Sequence, residues 1–342
     1  MNYQCIYQKK YTDNPNEFNK SDLNLSRDNM VTELSSTKKY KEKVLVREGN
    51  LVLNNSKTNS EEKKWFSEAI GNTSNVKEEW QDTIASVEDG VPIPIGFKYK
   101  EGTKDTGLVI QDGKGNEFVW VSATEGTYVK DTSFSSNNTP KGDDTLPNGI
   151  KDETADVKKY GGFYIGRYEA GIPEGDTSPS NKTGIPVSKK DATVWTNIDY
   201  TNAKASAESM ISNEYVQTGL LTGKAWDTTC HWIEDILSSI NGSASLKDSR
   251  YYGNYVNSLA PANGNSGTKR TAGFSENWKV KNIYDLAGNV WEWTSEAYSS
   301  NFIIRGGSYS DDGGHSPVFY RFDHGVSSAD HLLGFRSRLY IK

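Results

Sequence analysis

The chain has little that would cross-link it covalently or place it in a membrane. Its two cysteines, Cys5 and Cys230, are too few and too far apart for a disulfide framework, and neither has the close partner of a metal-binding motif. No apolar run approaches the length of a membrane span, and the N-terminus lacks the basic and apolar regions of a signal peptide. We therefore expect no membrane insertion and no signal peptide in this chain.

Positive charge is also scarce relative to negative charge. The 342 residues include 39 Lys and Arg against 45 Asp and Glu, which gives a net charge of -6. A protein that follows a phosphate backbone needs a basic face, so nucleic acid is excluded as an expected partner. Hydrophobic content is only 34%, but 9 Trp, 19 Tyr and 11 Phe can supply an aromatic-rich core in a chain of this length.

The first part of the chain differs in texture from the rest. Residues 1–50 are rich in Asn, Lys, Ser and Asp and show little apolar periodicity. The alternation in Lys43–Leu53 predicts a hairpin, and Ser60 starts a predicted helix that ends at Gly71. We interpret residues 1–85 as a small N-terminal module for attachment or oligomerisation.

From Val91 onwards, short strand patterns alternate with turns rich in Gly, Asn, Asp and Pro. Ile93–Tyr99 reads as a strand, Thr124–Tyr160 as a polar insertion with an exposed loop, and Asn202–Ile211 and Ala225–Ile240 as helices. Few helices among many short strands predict a loop-rich α+β domain over residues 86–342.

Near the C-terminus, three blocks contain no Lys, Glu, Gln, Met or Trp. The blocks are Ser310–His315, Phe322–Gly325 and Ser327–Leu333. These five residue types cannot be reached from an Asn codon by changing only its adenines, whereas the Ser, Asp, Gly, His, Phe and Leu found there can. The blocks also hold three of the chain's four histidines. This composition indicates a variable surface; a polar, Gly-rich terminal loop region with chance histidines is the alternative.

A frame of different composition separates these blocks. It consists of Arg305–Tyr309, Ser316–Arg321 and Gly334–Leu339. A surface that accepts almost any side chain cannot also supply the fold, so the frame should be buried and the blocks exposed. The frame residues expected in the core are Tyr309, Phe319, Tyr320, Phe335 and Leu339.

The variable region predicted in this way spans about residues 305–339. Its aromatic, histidine and aspartate side chains are of the kinds that paratopes use. The residues predicted to bind ligand are Ser310, Asp311, Asp312, Gly314, His315, Phe322, Asp323, His324, Gly325, Ser328, Asp330, His331 and Leu332.

Several motifs occur in the order seen in formylglycine-generating (sulfatase-modifying) enzymes. They include Phe163–Glu169, Tyr284–Thr294 with its Gly-Asn-Val-Trp-Glu-Trp-Thr block, Arg305–Ser308 and Gly334–Arg336. The chain resembles this family over roughly residues 90–342. The resemblance implies a C-type-lectin-like fold of the formylglycine-generating-enzyme type.

The resemblance does not extend to the enzymes' catalytic cysteines. Catalytic members carry copper-binding cysteines shortly after Arg-Gly-Gly-Ser, whereas the matching stretch here has Asp311 and Ser316, and no cysteine follows Cys230. We therefore expect a protein that is not an enzyme. A diverged sulfatase-modifying-type oxidase or another metal-dependent enzyme is the alternative.

With this C-terminal frame, the chain is similar to the variable proteins of diversity-generating retroelements, which include phage major tropism determinants. That similarity implies a ligand-binding or receptor-binding protein with a hypervariable surface, carried on a phage tail or, as an adhesin, on a bacterial cell surface. The implied partner is a protein or glycan receptor on a target cell, and the implied assembly is a homotrimer. A purely structural tail or pilin component is a further alternative.

No cofactor is required by this interpretation, but two metal sites remain open. The resemblance implies a possible calcium site at Asp285 and Glu292 with the backbone carbonyls of Gly288 and Val290, against a structural turn as the simpler interpretation. The three histidines of the blocks and their neighbouring aspartates are competent zinc or copper ligands, although codon randomisation explains their placement as well.

Overall fold

The structure is a computed structural model that describes residues 5–7, 43–46, 51–54, 76–134, 142–176, 180–260 and 267–342. The chain divides into two compact units, which are described separately. One comprises Met1–Lys100 with Ile110–Lys114, and the other comprises Glu101–Val109 with Gly115–Lys342. Within the described ranges, no helix has the length and apolar character needed to cross a membrane. The division into domains at residues 1–85 and 86–342 stays a prediction.

The described residues form many short β-strands. In chain order they are β1 (Cys5–Tyr7), β2 (Lys43–Val46), β3 (Leu51–Asn54), β4 (Ile84–Glu88), β5 (Val91–Pro94), β6 (Phe97–Glu101), β7 (Val109–Asp112), β8 (Glu117–Ser122), β9 (Gly162–Gly166), β10 (Val216–Leu220), β11 (Lys279–Val280), β12 (Ile283–Tyr284), β13 (Trp291–Tyr298), β14 (Asn301–Arg305), β15 (Arg321–Gly325), β16 (Leu333–Phe335) and β17 (Ser337–Ile341).

The helices of the described residues are fewer. The α-helices are α1 (Glu153–Tyr160), α2 (Tyr200–Met210) and α3 (Gly223–Ile240), and short 3-10 helices lie at Glu78–Trp80, Ser249–Tyr251 and Glu276–Trp278. Each α-helix begins after a residue whose side-chain oxygen accepts a hydrogen bond from a first-turn backbone N–H, namely Asp152, Asp199 and Thr222. The predicted helices at residues 202–211 and 225–240 are confirmed with small shifts of their ends, and so is the α+β class.

The first unit contains a small antiparallel sheet in the order β1-β2-β3. Val44 pairs with Leu53 and Val46 with Leu51, which confirms the predicted hairpin. Strands β4 and β5 form a second antiparallel pair. The predicted helix from Ser60 to Gly71 lies outside the described residues.

In the second unit, the last strand of the chain is central to one sheet. Strands β10, β17, β9 and β8 lie side by side in that order, and each neighbouring pair is antiparallel. Leu339 of β17 pairs with Thr218 on one side and with Tyr164 on the other. The last segment of the frame, Gly334–Leu339, therefore reaches this sheet through β17.

A second sheet of this unit carries the predicted variable region. Its order is β15-β14-β13-β16, with β15 at one edge. The pairs β15–β14 and β14–β13 are antiparallel, whereas β13 and β16 run parallel, with Trp291 beside Leu333 and Trp293 beside Phe335. Strand β15 thus has a hydrogen-bonded neighbour on one side only within this sheet.

Two apolar clusters support these sheets. The amphipathic helix α3 buries Trp226, Cys230, Ile233 and Leu237 in one of them. The other combines Trp293, Ile304 and Phe335 of the second sheet with Ala203 and Ala207 of helix α2. These clusters are the aromatic-rich core that the composition predicts.

Two predicted local structures are corrected. Thr124–Tyr160 is not entirely an exposed loop, because its last residues form helix α1 with Val157 and Tyr160 buried. Asp152 caps the helix start, and Gly161, at φ 85°, allows the left-handed end. The predicted strand Ile93–Tyr99 is two strands, which Gly96 interrupts at φ 94°.

Candidate ligand-binding surface

None of the residues predicted to bind ligand is buried. Ser310, Gly314, His315, Phe322 and His331 are exposed, and the others are partly exposed. Arg305, Gly306, Gly307 and Ser308, which precede them, are all buried. The separation of an accessible surface from a buried support is therefore present, while the binding role of the individual residues stays a prediction.

Strand β15 presents alternate residues to opposite faces of its sheet. Phe322 is in register with Ile304, and His324 with Phe302, so these side chains share one face. Arg321 is in register with Arg305 on the other face. Phe322 and His324 extend the apolar face of the sheet to its exposed edge, since Phe322 is 45% exposed and Ile304 only 2%.

An aromatic cluster occupies this edge. The ring centroid of Phe322 lies 6.1 Å from that of Trp291, 6.5 Å from that of Tyr320 and 6.2 Å from that of His324. The rings of Trp291 and Tyr320 are 6.2 Å apart and inclined at 60°. We call Trp291, Tyr320, Phe322 and His324 the aromatic edge. Its rings are close enough for favourable tilted and offset contacts.

The aromatic edge borders a cleft of about 290 Å³. Trp291, Ile304 and Leu333 provide its buried apolar lining. Five residues of the predicted ligand-binding set also line it: Asp311, Phe322, His324, Asp330 and Leu332. The cleft therefore brings together residues from all three blocks that are predicted to vary, and a small group of a ligand could enter it.

The two carboxylates of the cleft are oriented by local hydrogen bonds. Asp311 Oδ2 accepts hydrogen bonds from the backbone N–H of Ser308 at 2.9 Å and from its hydroxyl at 2.5 Å. Asp330 Oδ1 accepts one from the backbone N–H of Leu332 at 2.7 Å. No Lys, Arg or His in the described ranges forms an ion pair with Asp311 or Asp330. The cleft thus carries negative charge without an internal counterion.

Beneath this surface, the frame contains a buried ion-pair network. Arg305 Nη2 donates to Asp227 Oδ1 at 2.6 Å, and Arg321 Nη2 donates to Asp227 Oδ2 at 2.5 Å. Arg321 Nε donates to Glu296 Oε2 at 3.0 Å. Nearby arginines lower the pKa of Glu296 against the opposing effect of its burial. This network ties the start of β15 to helix α3 and strand β13.

Hydrogen bonds between side chains and the backbone hold the loop between β14 and β15. Trp226 Nε1 donates to the carbonyl of Val318 at 2.9 Å, and the N–H of Val318 donates to Ser249 Oγ at 2.9 Å. Tyr255 Oη donates to the carbonyl of Gly306 at 2.6 Å. These bonds satisfy buried polar groups and fix the loop without using the side chains of Ser310–His315, which are predicted to vary.

The expectation that five frame residues lie in the core is only partly correct. Phe335 and Leu339 are buried, but Tyr309, Phe319 and Tyr320 are only partly buried. Phe319 packs against the cluster around α3, and Tyr320 packs at the margin of the cluster around Trp293. Tyr320 shares a face with the edge residue Phe322, which explains why it remains accessible at the cleft.

The predicted calcium donors lie in a buried acidic region. Both oxygens of Glu292 accept hydrogen bonds from Arg336, at distances of 2.7–3.1 Å. Asp285 Oδ2 accepts from the N–H of Gly273 at 2.7 Å, while Asp285 Oδ1 is buried without a hydrogen-bond partner. Asp285 therefore has an oxygen that suits a cation, but Glu292 already binds a guanidinium, so the donor set as a whole does not fit Ca²⁺ well.

Burial and neighbouring carboxylates affect proton binding in this region. Burial raises the pKa of Asp285 to about 7, with Glu292 adding to the effect. Burial also raises the pKa of Glu169, with Asp285 and Glu292 as further causes. Glu169 Oε1 accepts from the N–H of Val290 at 3.1 Å, which links this region to the Gly-Asn-Val-Trp block. The occupancy of a calcium site here stays a prediction.

Neither the histidines of the blocks nor Cys230 belongs to a cluster of metal-binding side chains in the part of the chain that the structure describes. No group of three or more His, Cys, Asp or Glu side chains within the described ranges could hold a metal ion. Cys230 is buried, and burial raises the pKa of its thiol. His231 points elsewhere, with Nε2 at 2.8 Å from Asp131 Oδ2. Cys230 and His231 are thus in different environments, as expected for neighbours on a helix.

Comparison with a protein-family model identifies the family of this chain. The model of the sulfatase-modifying factor enzyme 1-like domain matches residues 31–338. The chain therefore belongs to this family, and the predicted C-type-lectin-like fold of the formylglycine-generating-enzyme type is confirmed. A search of curated proteins finds no match.

Solved structures of similar proteins were also found. Treponema denticola variable protein 1 is 16% identical, with 65% of this chain and 95% of that chain covered and a TM-score of 0.35. PvdO from Pseudomonas aeruginosa is 18% identical, with 68% and 97% covered and a TM-score of 0.39. CarF is 20% identical, with 59% and 96% covered and a TM-score of 0.34.

Sequence reasoning missed the apolar lining of the cleft. Trp291 is only 7% exposed, yet it lines the cleft together with Ile304 and Leu333. The spacing of Tyr320, Phe322 and His324 at alternate positions was the available signal, because it predicts one shared face of a strand.

Proposed function

We propose that this chain is a non-enzymatic ligand-binding protein whose C-terminal surface is diversified at its exposed positions. The cleft carries the proposal, because residues of all three variable blocks converge there on a buried aromatic and aliphatic lining. A rigid support beneath variable side chains suits a surface that must change its specificity without losing its fold.

The absence of catalytic cysteines supports a binding role over an oxidase role. Asp311 and Ser316, which stand where the resemblance places the enzymes' cysteines, both line the cleft. Neither side chain is the soft thiolate that Cu(I) prefers. In this proposal, the region that carries out oxidation in the family's enzymes serves here to bind a ligand.

The proposed setting is a phage tail tip or a bacterial cell surface. The receptor is a protein or glycan on a target cell, and residues 1–85 attach the binding domain to its carrier or assemble it as a trimer. The resemblance to retroelement variable proteins and the codon-restricted composition of the blocks support this setting.

Binding to cells provides the direct test. The full chain would be labelled and applied to a panel of intact bacterial strains, beside a triple variant with Phe322→Ala, His324→Ala and Asp330→Asn. A control triple variant would carry Ile185→Ala, Ile240→Ala and Asp105→Asn, which change exposed side chains that do not line the cleft. We expect the cleft variant alone to lose binding to the strains that the unmodified chain recognises.

Two results would contradict the proposal in this test. One is equal binding by the unmodified chain and the cleft variant to every recognised strain. The other is the absence of recognition across a broad panel that includes the hosts of related phages. Circular dichroism of all three proteins would establish that differences in binding do not reflect unfolding.

The gene tests diversification separately. We expect residues such as Asp311, His315, Phe322 and His331 to use codons that end in C or T, opposite Asn codons in a nearby template repeat beside a reverse transcriptase. Mixed codon endings without such a template would contradict the proposal that a retroelement diversifies these residues. They would favour a structural tail or pilin component.

A further inference from the structure

We infer that the cleft at the aromatic edge accepts a cationic group, namely the ammonium or guanidinium group of a Lys or Arg side chain on a protein receptor. This inference rests on the proposed ligand-binding function and specifies the chemistry that the ligand presents. It concerns the specificity of this particular chain, because other sequences of the variable blocks would give other specificities.

The charges of the cleft favour a cation. Asp311 and Asp330 contribute carboxylates to the lining, and no Lys or Arg contributes to it. Neither carboxylate is paired with a basic side chain of the described ranges, and the hydrogen bonds they accept come from neutral Ser308 and Leu332 groups. An incoming cation would thus gain two counterions, whereas an anion would meet uncompensated negative charge.

The aromatic edge favours the same ligand for a different reason. The ring centroids of Trp291, Tyr320 and Phe322 are 6.1–6.5 Å from one another. A cation is attracted to the face of an aromatic ring within about 6 Å of its centroid, most strongly to Trp. The half-buried position of this cluster reduces competition from water at the ring faces.

The shape of the cleft agrees with a side chain as occupant. A volume of about 290 Å³ at the edge of a sheet can receive the end of a long side chain while the receptor remains outside. The aliphatic stem of Lys or Arg can lie against Ile304 and Leu332 as its charged end meets the carboxylates. A neutral sugar could stack on the rings but would not use the negative charge of both aspartates.

Amino acid derivatives can test this inference on the full chain. The probes are the N-acetyl methylamides of lysine, arginine and norleucine, together with a neutral methyl glucoside, titrated by NMR at low and at physiological salt. We expect lysine or arginine to bind about tenfold more tightly than norleucine, the size of one to two favourable cation–aromatic contacts. Higher salt should weaken only the cationic probes.

Variants separate the two contributions. Asp330→Asn keeps an oxygen that can accept the N–H of Leu332 and should reduce cation binding several-fold while norleucine binding stays constant. Phe322→Ala should weaken the cationic probes and norleucine together. Asp105→Asn, with the same change of charge at an exposed residue outside the cleft lining, should bind every probe as the unmodified chain does.

The outcomes distinguish this inference from the function on which it rests. Equal affinity for lysine and norleucine, tighter binding of the glucoside, or the absence of any binding in the cleft would each overturn the cation specificity. Loss of cell binding in the cleft triple variant would leave the proposed function standing in all three cases. Retained cell binding in that variant would overturn the proposed function whatever the probes show.

Discussion

The two faces of strand β15 are in opposite environments, although their residues are neighbours in the sequence. On one face Arg321 is 4% exposed and its guanidinium binds Asp227 and Glu296. On the other face Phe322 is 45% exposed and borders the cleft. Side chains that stabilise the fold and side chains that are accessible to a ligand can therefore alternate along a single strand. The reason is that the pleat directs successive side chains to opposite sides of the sheet.

The supporting face should be the most sensitive to substitution. Asp227→Asn removes the carboxylate that Arg305 and Arg321 share in the protein interior. We expect a loss of about 3–5 kcal/mol in the free energy of unfolding, because buried Arg305 would lose its nearest carboxylate and Arg321 would keep only Glu296. Urea unfolding followed by fluorescence would measure it.

Asp323→Asn is the matched control, because Asp323 is partly exposed and its carboxylate accepts a hydrogen bond from the neutral Asn301 Nδ2 at 2.8 Å. We expect its effect to stay within about 0.5 kcal/mol. If Asp227→Asn and Asp323→Asn lowered the free energy of unfolding by similar amounts, the buried ion pairs of Asp227 would not contribute the stability that we expect.

The backbone of the frame should be nearly as sensitive. Gly307 has a φ of 75°, and a Cβ atom there would lie 2.4 Å from the carbonyl oxygen of Ser316. We expect Gly307→Ala to cost about 2–4 kcal/mol, from the positive φ and from displacement of the neighbouring backbone. Thermal unfolding would measure the change.

Gly314→Ala is the comparison within a variable block. Gly314 is exposed, and the nearest atom to an added methyl group would be Asp312 Oδ1 at 3.2 Å. We expect a change of less than about 1 kcal/mol. A larger loss for Gly314→Ala than for Gly307→Ala would contradict the distinction between frame and block.

A pH dependence of stability should arise in the buried acidic region around Asp285. Because burial raises the pKa of Asp285 to about 7, the folded protein retains a proton that the unfolded chain releases near pH 4. This contribution to stability is complete below about pH 4 and is lost as the pH rises through about 7. We expect Asp285→Asn to reduce the loss of stability between pH 5 and 8 by on the order of 2 kcal/mol.

Denaturant unfolding at several pH values would test this. Glu276→Gln is the control, because hydrogen bonds from Lys279 and Tyr284 outweigh desolvation and lower the pKa of Glu276 to about 2. Its contribution changes at acidic pH and should leave the slope between pH 5 and 8 as it is. An unaltered slope in Asp285→Asn would contradict the raised pKa.

The recognition face should be the least sensitive in stability. Phe322→Ala should lower the free energy of unfolding by about 1 kcal/mol, because the ring contacts of the aromatic edge are lost while 45% of the side chain is already exposed. Phe335→Ala, in the same sheet but fully buried, should cost about 3–5 kcal/mol. Chemical denaturation of both variants would measure these changes. A loss for Phe322→Ala as large as that for Phe335→Ala would show that Phe322 is needed to stabilise the fold.

Much of the second unit could be predicted from its sequence. The Gly-Asn-Val-Trp-Glu-Trp-Thr block identified the family, and the helical periodicity around Trp226 located α3 to within a few residues. Helix α1 was missed, because its residues Glu153–Tyr160 are strongly polar and their amphipathic pattern is weak. Its Glu153 is buried beside Arg338, a partner far away in the sequence.

The sequence by itself determined the family and the α+β class, and it predicted which C-terminal segments vary, because motif order and residue composition are local properties. Only the tertiary structure decided that Trp291, Ile304 and Leu333 line the same cleft as Asp311, Phe322 and Asp330. It also decided that Arg305 and Arg321 share Asp227. A buried charge requires a partner and a cleft requires walls, and both come from residues that only folding brings together.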